Sequence, residues 1–204
     1  MQKAGVVVLI LLMGLPILLS AQDNSDPSIE TDWDDYKYDL YAAGDQTFII
    51  NLGVVFPVIF LNQGNRIAHQ ISPPVGGSGS LIYNYYLTSR FFIGGEVSGM
   101  FLPTLGGNTV FLIPAGIRVG TQFLRGRFEF PISFTLGASW HKYLNFGHFG
   151  VFGKVGASAY YRVSNSWAYG LSANWFMIPQ FTGNRSQNVI GNVVTFSLSA
   201  RYHF

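Results

Sequence analysis

The chain has 204 residues, a length that allows one domain or one small closed barrel. Charged residues make up 11% of it, well below the roughly 25% of soluble domains. The absence of cysteine excludes disulfides, cysteine-ligated metals and a lipidated cysteine anchor. The formal net charge of +2 hides an uneven distribution: residues 22–45 hold eight acids and one lysine, whereas residues 46–204 hold two acids and ten lysines and arginines.

The first 21 residues have the pattern of a secretory signal peptide. Lys3 supplies the positive start, an apolar run extends from Ala4 to Leu19, and the small residues Ser20 and Ala21 precede a polar stretch. A membrane anchor is the alternative, but the run is short for a span of about 20 residues. We therefore predict that residues 1–21 are a signal peptide that directs export.

Residues 22–45 are predicted to be a short acidic periplasmic tail. Pro27 and the neighbouring Asn, Ser and Asp residues favour disorder at its start. The tail has two interpretations, a solvated leader and a cap on the basic turns of the domain that follows. That domain is predicted to occupy residues 46–204.

From Thr47 onward, apolar residues recur at every second position, which is the period of a β-strand with two different faces. In the clearest segment, Phe130, Ile132 and Phe134 alternate with Glu129 and Ser133. Eight segments share the pattern: residues 48–60, 78–91, 91–102, 110–122, 128–140, 151–163, 167–178 and 191–204. Their number and length match a small outer-membrane barrel.

The predicted fold is therefore all-β, a transmembrane up-and-down antiparallel β-barrel of about eight strands. A soluble lipocalin-like barrel is the alternative, but it does not explain charged residues on the face with small side chains. Short connectors are predicted to be periplasmic turns, at residues 88–90, 123–127 and 164–166. Longer ones are predicted to be extracellular loops, at residues 62–77, 103–109, 141–149 and 179–190.

The alternation directs five charged side chains into the barrel: Glu96, Arg118, Glu129, Lys154 and Arg201. The interior of an eight-stranded barrel is only wide enough for side chains to fill it. Charges in such a space must pair with one another or hold water. We predict an ion-pair plug, with a gate or a narrow anion path as the alternative.

The same alternation makes the extracellular half of the lumen apolar. Its predicted inward residues are Ile59, Met100, Leu102, Val110, Leu112, Phe152, Phe176 and Ile178. A chamber lined in this way would accept a small hydrophobic molecule. Pro57, Pro114 and Pro131 lack a backbone donor, so each predicts a bulge or a local break. The predicted exit is sideways near Pro114 and Pro131, and the alternative is that the apolar residues pack against folded-in loops.

The sequence gives little support for an enzyme, a cofactor or a nucleic-acid partner. A Ser-His-acid triad needs a carboxylate near the histidine, and beyond Asp45 the only acids are Glu96 and Glu129, both predicted to face the lumen. His69, His141 and His148 have no fixed metal-ligand spacing. The basic residues are scattered singly, so we predict no catalytic, metal or nucleic-acid site.

The last residues, FSLSARYHF, resemble the C-terminal assembly signal of outer-membrane barrels. The resemblance implies that the barrel-assembly machinery reads Phe196, Leu198, Tyr202 and Phe204. Residues 46–204 as a whole resemble the small eight-stranded class, which includes OmpA/OmpX-like structural barrels and OmpW-like barrels credited with hydrophobic-solute uptake. This class implies a monomer in the cell outer membrane, surrounded by lipid.

Three functions remain open at this stage. The first is passage of a small hydrophobic molecule through the apolar half of the lumen, which is closed below by the charged plug. The second is a structural or surface-interaction barrel, adhesin-like, with a blocked lumen and no transport. The third, which the acids disfavour, is an outer-membrane lipid-modifying enzyme.

Overall fold

A computed structural model of the protein describes residues 41–62, 64–67, 74–104, 108–143, 146–180 and 188–204. The predicted signal peptide and residues 22–40 of the predicted tail lie outside the described residues. The described residues form nine strands: β1 Gln46–Asn62, β2 Asn65–Ile67, β3 Gly76–Tyr86, β4 Phe91–Pro103, β5 Thr109–Arg125, β6 Phe128–Tyr143, β7 Phe146–Arg162, β8 Trp167–Gln180 and β9 Val189–His203. In this part of the chain, no helix is long and apolar enough to cross a membrane.

Eight of these strands form a closed antiparallel barrel, as predicted. Each of β1 and β3–β9 pairs with the next in chain order, and β9 returns to pair with β1. The closing ladder runs from Thr47 opposite His203 to Asn62 opposite Val189. The short β2 pairs only with residues 60–62 at the end of β1. Closure leaves the wall without a long free edge, which is the condition for a sheet to lie in hydrocarbon.

The wall has the reverse polarity of a soluble barrel. Successive residues point to opposite faces of the sheet, and the outward residues are mostly aliphatic and aromatic. Leu52, Ile117 and Leu171 are 61%, 66% and 62% exposed. The inward residues include all the small polar and charged side chains of the lumen as well as a smaller apolar set, and Thr135 and Arg201 are 0% exposed. An apolar outer band of this extent suits lipid rather than water, so the soluble lipocalin-like alternative is wrong.

The two ends of the barrel differ in their connections. We call one the turn end. It holds the turns at residues 87–90, 126–127 and 163–166, the start of β1 at Gln46 and the end of β9 next to Phe204. We call the other the loop end. The loop predicted at residues 141–149 is wrong, because β6 and β7 continue through it and pair His141 with His148. The polar residues of this segment led to the prediction of a loop. A strand pair that extends beyond the lipid can carry polar side chains on both faces, so these residues do not mark the end of a strand.

Each of the three prolines predicted to disturb the sheet lies at an irregularity in a strand ladder. The β1–β9 register shifts between Pro57 and Ile59. The β4–β5 ladder is interrupted beside Pro114, and the β6–β7 ladder is interrupted beside Pro131. Proline lacks the backbone N–H that would pair with the neighbouring strand, which accounts for all three sites.

The seam between β5 and β6 is nevertheless continuous. Its ladder runs without a gap from Val110 opposite Tyr143 to Arg125 opposite Phe128. Pro114 and Pro131 both lie on this seam, but the interrupted ladders are on their other neighbours. The fully described β5–β6 ladder therefore has no side opening of the kind that the sequence led us to expect.

Close approach of β5 and β6 depends on an inward glycine pair. Gly116 lies opposite Gly137, and a Cβ atom on Gly137 would meet the carbonyl oxygen of Ala115 and the Cα atom of Gly116. We predict that Gly137→Val lowers the free energy of unfolding by about 1–3 kcal/mol, the usual cost of overpacking. Urea unfolding of the barrel in detergent or lipid measures this. Gly95→Ala is the matched control, because a Cβ atom there meets nothing within 4 Å; equal effects of the two substitutions would contradict the packing argument.

Candidate functional site

The lumen is the candidate site, and its side chains form three layers. The middle layer is built around Glu96 and the turn-end layer around Glu129. The third, the loop-end layer, is apolar. The five charged residues predicted to face inward are between 0% and 4% exposed, and the structure divides them between the first two layers.

The middle layer surrounds the carboxylate of Glu96 with donors. Lys154 Nζ contacts Glu96 Oε1, and Arg118 Nη1 lies 3.6 Å from Glu96 Oε2. The hydroxyls of Ser98 and Thr135 donate to the same carboxylate over 2.9 Å and 3.3 Å. Such a buried pair requires good geometry and several hydrogen bonds to offset desolvation, and this carboxylate has both.

The strand register brings these groups together. Arg118, Thr135 and Lys154 lie in one row across β5, β6 and β7. Glu96 on β4 lies opposite Gly116, which has no side chain to obstruct its path into the lumen. A row of inward residues on neighbouring strands is the sheet arrangement in which opposite charges pair most directly.

The turn-end layer surrounds the carboxylate of Glu129 with donors in the same way. Arg201 Nη1 donates to Glu129 Oε2 over 2.7 Å. Arg162 donates to Oε1 through Nε, and its Nη2 lies equally close, both at 2.7 Å. The hydroxyl of Tyr41 donates to Oε2 over 2.8 Å. Arg162 therefore contacts one carboxylate oxygen and Arg201 the other, and charge-assisted hydrogen bonds of this kind are short and strong.

Aromatic rings separate and support the charged groups. The guanidinium of Arg201 lies 3.9 Å from the ring centre of Tyr160, and Lys154 Nζ lies 5.2 Å from that of Phe176. The hydroxyl of Tyr86 donates to Gln122 Oε1 over 2.8 Å. Cations against desolvated ring faces gain further stabilisation. The described lumen therefore holds four cations against two carboxylates without exposing any of them.

The loop-end layer is packed rather than hollow. Its buried members are Val55, Met100, Leu102, Leu112, Phe152, Phe176, Ile178 and Val193, with Val110 packed against them. All eight buried members are 0–6% exposed, and the rings of Phe152 and Phe176 stack with centres 6.1 Å apart. The side chains of this layer therefore lie in contact with one another rather than with solvent.

Seven of the eight residues predicted for this layer lie in it, and Ile59 does not. The register shift after Pro57 places Ile59 opposite Asn192, whose side chain accepts a hydrogen bond from the outward Trp175. Directly opposite residues share a face of the sheet, so Ile59 faces outward with Asn192. The bulge thus reverses the inward and outward positions that the sequence pattern before Pro57 predicts for the rest of the strand. Val55 and Val193 are the members that the sequence reasoning missed.

Two further residues of the lumen were also missed. Arg162 follows the inward alternation of its strand, but it was not included in the predicted charge cluster. Tyr41 falls in the segment that was predicted to be a periplasmic tail, and its pattern carries no signal of burial. In the structure Tyr41 is 4% exposed.

The loop end of β6 holds a serine beside a histidine. Ser139 Oγ contacts His141 Nε2, and Gln180 Nε2 lies 3.4 Å from His141 Nδ1. The third partner is an amide rather than the carboxylate of a serine-hydrolase triad, and Ser139 is 1% exposed. Among the described residues no group of three or more His, Asp or Glu could hold a metal, while His69 lies outside them.

The outer wall carries a groove of about 460 Å³ at the loop end, between β5 and β6. It is lined by Phe111, Ile113, Trp140 and Lys142 among others.

The positions of the predicted assembly signal, in β9 and directly after it, all face outward: Phe196, Leu198, Tyr202 and Phe204 are 54%, 54%, 38% and 58% exposed. Their reading by an assembly machinery stays a prediction.

A protein-family model matches residues 22–202. An uncharacterized protein of Treponema pallidum (strain Nichols) is 27% identical over 129 residues, which cover 63% of this chain and 59% of that protein. The match therefore spans less than two thirds of that relative's length.

Two solved barrels show the same fold. Neisserial surface protein A superposes with a TM-score of 0.57 at 10% identity, over 80% of this chain and 99% of that one. Ail, the attachment invasion locus protein of Yersinia pestis in complex with the heparin analogue sucrose octasulfate, gives 0.50 at 12% identity over 79% and 99%. The chain belongs to the family whose model spans residues 22–202, and its fold is that of a small eight-stranded β-barrel.

Proposed function

We propose that this protein is a closed barrel that conducts neither ions nor small solutes and that acts through its outer and loop-end surfaces. The observation that supports the proposal is the filled lumen. Two ion-pair layers and one apolar layer lie in series along it, and the charged groups are at most 9% exposed. A solute would have to displace all three layers.

The charged layers make opening costly. To pass the turn-end layer, a solute must separate Glu129 from Arg162 and Arg201, and a solute in the middle layer must separate Glu96 from Lys154. Removing one partner of a buried pair typically costs about 3–5 kcal/mol, because the other charge stays buried without compensation. The pairs therefore favour a structural plug over a gate that opens spontaneously.

The hydrophobic-carrier alternative has less support. It needs an accessible apolar chamber and a way out into the membrane. The eight buried residues of the loop-end layer are 0–6% exposed, and the β5–β6 ladder is continuous. The surface-interaction function needs neither, since an apolar outer band holds the barrel in lipid and the loop end presents the remaining surface to partners.

The first test of the plug is a double-mutant cycle on the middle layer. We predict that Glu96→Gln alone lowers the free energy of unfolding by about 3–5 kcal/mol, because Lys154 and Arg118 lose their counter-charge. The double variant Glu96→Gln with Lys154→Met should lose less than the sum of the single variants. Urea unfolding in lipid or detergent gives the four values.

The control for the cycle is Lys142→Met on the outer wall, where the side chain is exposed and the effect should stay within about 0.5 kcal/mol. Strictly additive effects of Glu96→Gln and Lys154→Met would show that the two groups do not interact in the folded barrel, and the plug would lose its physical basis.

The second test measures transport directly. We predict that the reconstituted protein gives the ion conductance of protein-free bilayers and no saturable uptake of a small apolar dye into vesicles. Leu112→Trp, which adds bulk to the loop-end layer, should leave both values unchanged. The truncated variant Phe152→Ala with Phe176→Ala serves as the opened comparison, because it removes two stacked rings of that layer. Saturable uptake by the native protein that Leu112→Trp abolishes would establish the carrier and overturn the proposal.

A further inference from the structure

The turn end is closed by a residue that does not belong to the wall. Tyr41 precedes β1, and the chain reverses between it and Gln46. Gly44 adopts a positive φ of 103°, a conformation that glycine reaches at no steric cost. The backbone N–H of Ala42 donates to Asp45 Oδ2 over 2.8 Å. This short turn directs the Tyr41 side chain into the lumen.

The turn is tied to the end of β3. Gly44 N–H donates to the carbonyl of Tyr86, and Tyr86 N–H donates to the carbonyl of Asp45, both over 2.9 Å. Gln46 exchanges backbone hydrogen bonds with Phe204 over 3.2 Å and 3.1 Å. The segment thus has its own attachment points at the barrel rim, separate from the contacts of the Tyr41 ring.

The ring lies between a stacked aromatic and a cation. Tyr41 and Tyr86 stack with centres 4.2 Å apart and planes at 21°. The guanidinium carbon of Arg162 lies 5.0 Å from the Tyr41 ring centre, and the His203 ring is tilted against it at 5.3 Å. Together these groups define a flat aromatic slot, which suits a phenyl ring in size and electrostatics.

The hydroxyl is recognised separately from the ring. It donates to Glu129 Oε2 over 2.8 Å and accepts from Arg201 Nη1 over 3.3 Å, while His203 Nε2 lies 3.4 Å away. Burial raises the pKa of the Tyr41 phenol well above its usual value, so the group stays a neutral donor toward the carboxylate. A donor and an acceptor at one atom, at the end of a flat slot, are the recognition pattern of a phenol.

We propose that Tyr86, Glu129, Arg162 and Arg201 form a phenol-binding site at the turn end of the barrel, and that Tyr41 is its tethered ligand, a plug supplied by the segment ahead of β1. The site walls come from β3, β6, β7 and β9, whereas the ligand comes from outside the barrel. The site accepts a free para-alkylphenol when Tyr41 is removed. This inference concerns what seals the turn end, and it is independent of whether the loop end passes a solute.

The chemistry of the site sets its specificity. Toluene fills the ring slot but offers no hydroxyl, so Glu129 and Arg201 would each lose a partner. Buried polar groups that lose a partner reject a ligand strongly. A benzoate would bring its charge against the Glu129 carboxylate. The predicted preference is therefore para-cresol over toluene by at least about tenfold in affinity.

The experiment uses the full chain with Tyr41→Gly. Para-cresol should bind this variant saturably in calorimetry and raise its thermal unfolding midpoint, whereas the native protein, whose site is occupied, should show neither effect. Toluene is the ligand control. Absence of para-cresol binding to the variant, or equal binding of toluene, would overturn the proposal.

A second readout follows water access to the turn end. The chain has no cysteine, so Ala168→Cys supplies a single thiol. Ala168 is 0% exposed and lies opposite both Arg162 and Arg201. With Tyr41→Gly, a soluble thiol reagent should label Cys at 168 at least about tenfold faster than in the native background, and para-cresol should slow that labelling again.

The conservative variant keeps the proposal testable if Tyr41→Gly fails to fold. Tyr41→Phe retains the ring and loses only the hydroxyl, so the thiol at position 168 should be labelled faster in this background than in the native one. Equal labelling in the native and Tyr41→Phe backgrounds would show that the hydroxyl of Tyr41 does not seal the turn end, and it would overturn the proposal.

Discussion

Two buried carboxylates are the interaction on which the rest of this barrel depends. Glu96 and Glu129 are the only acids between residues 46 and 204, and both point into the lumen, where each contacts two cations. A buried charge without a partner is too costly to keep in a folded protein. The two acids therefore determine which basic residues the lumen can hold and at which height along the barrel axis they lie.

The carboxylates act within a limit set by the wall. Eight strands enclose an interior that side chains can fill completely, and lipid outside requires every backbone group of the wall to be paired. Under these two conditions the inward residues cannot be solvated individually, as they would be in a wide porin. The charges pair, the rings of Tyr160 and Phe176 cover the cations, and an apolar layer occupies the loop-end section. Under the proposed function, the surfaces on which this protein acts are the outer wall, the rim and the loop end.

Much of this arrangement follows from the period of the sequence. Alternation alone predicted eight strands, the apolar outer face and the inward direction of Glu96, Arg118, Glu129, Lys154 and Arg201, because period two fixes the face of every residue in a regular strand. It could not predict which cations pair with which acid, since that depends on the register between strands. Nor could it follow the bulge that turns Ile59 away from the lumen.

Tyr41 shows a different limit of sequence reasoning. Its acidic, irregular surroundings favoured a solvated tail, and nothing in the spacing links it to Glu129, 88 residues further along the chain. The link exists because barrel closure places β1 beside β3 and β9, and from that rim the Tyr41 side chain reaches Glu129 on β6 inside the lumen. Contacts of this kind arise from topology, so they become visible only when the barrel is closed.

Distance measurements by solid-state NMR in lipid bilayers test the central claim of a lumen filled by paired charges most directly. With labelled arginine, lysine and glutamate, nitrogen–carbon dipolar couplings should show Glu129 in contact with Arg162 and Arg201, and Glu96 in contact with Lys154, with no exchange between these side chains and bulk water. Absent couplings together with rapid water exchange at Glu96 and Glu129 would indicate a hydrated pore and would contradict the account.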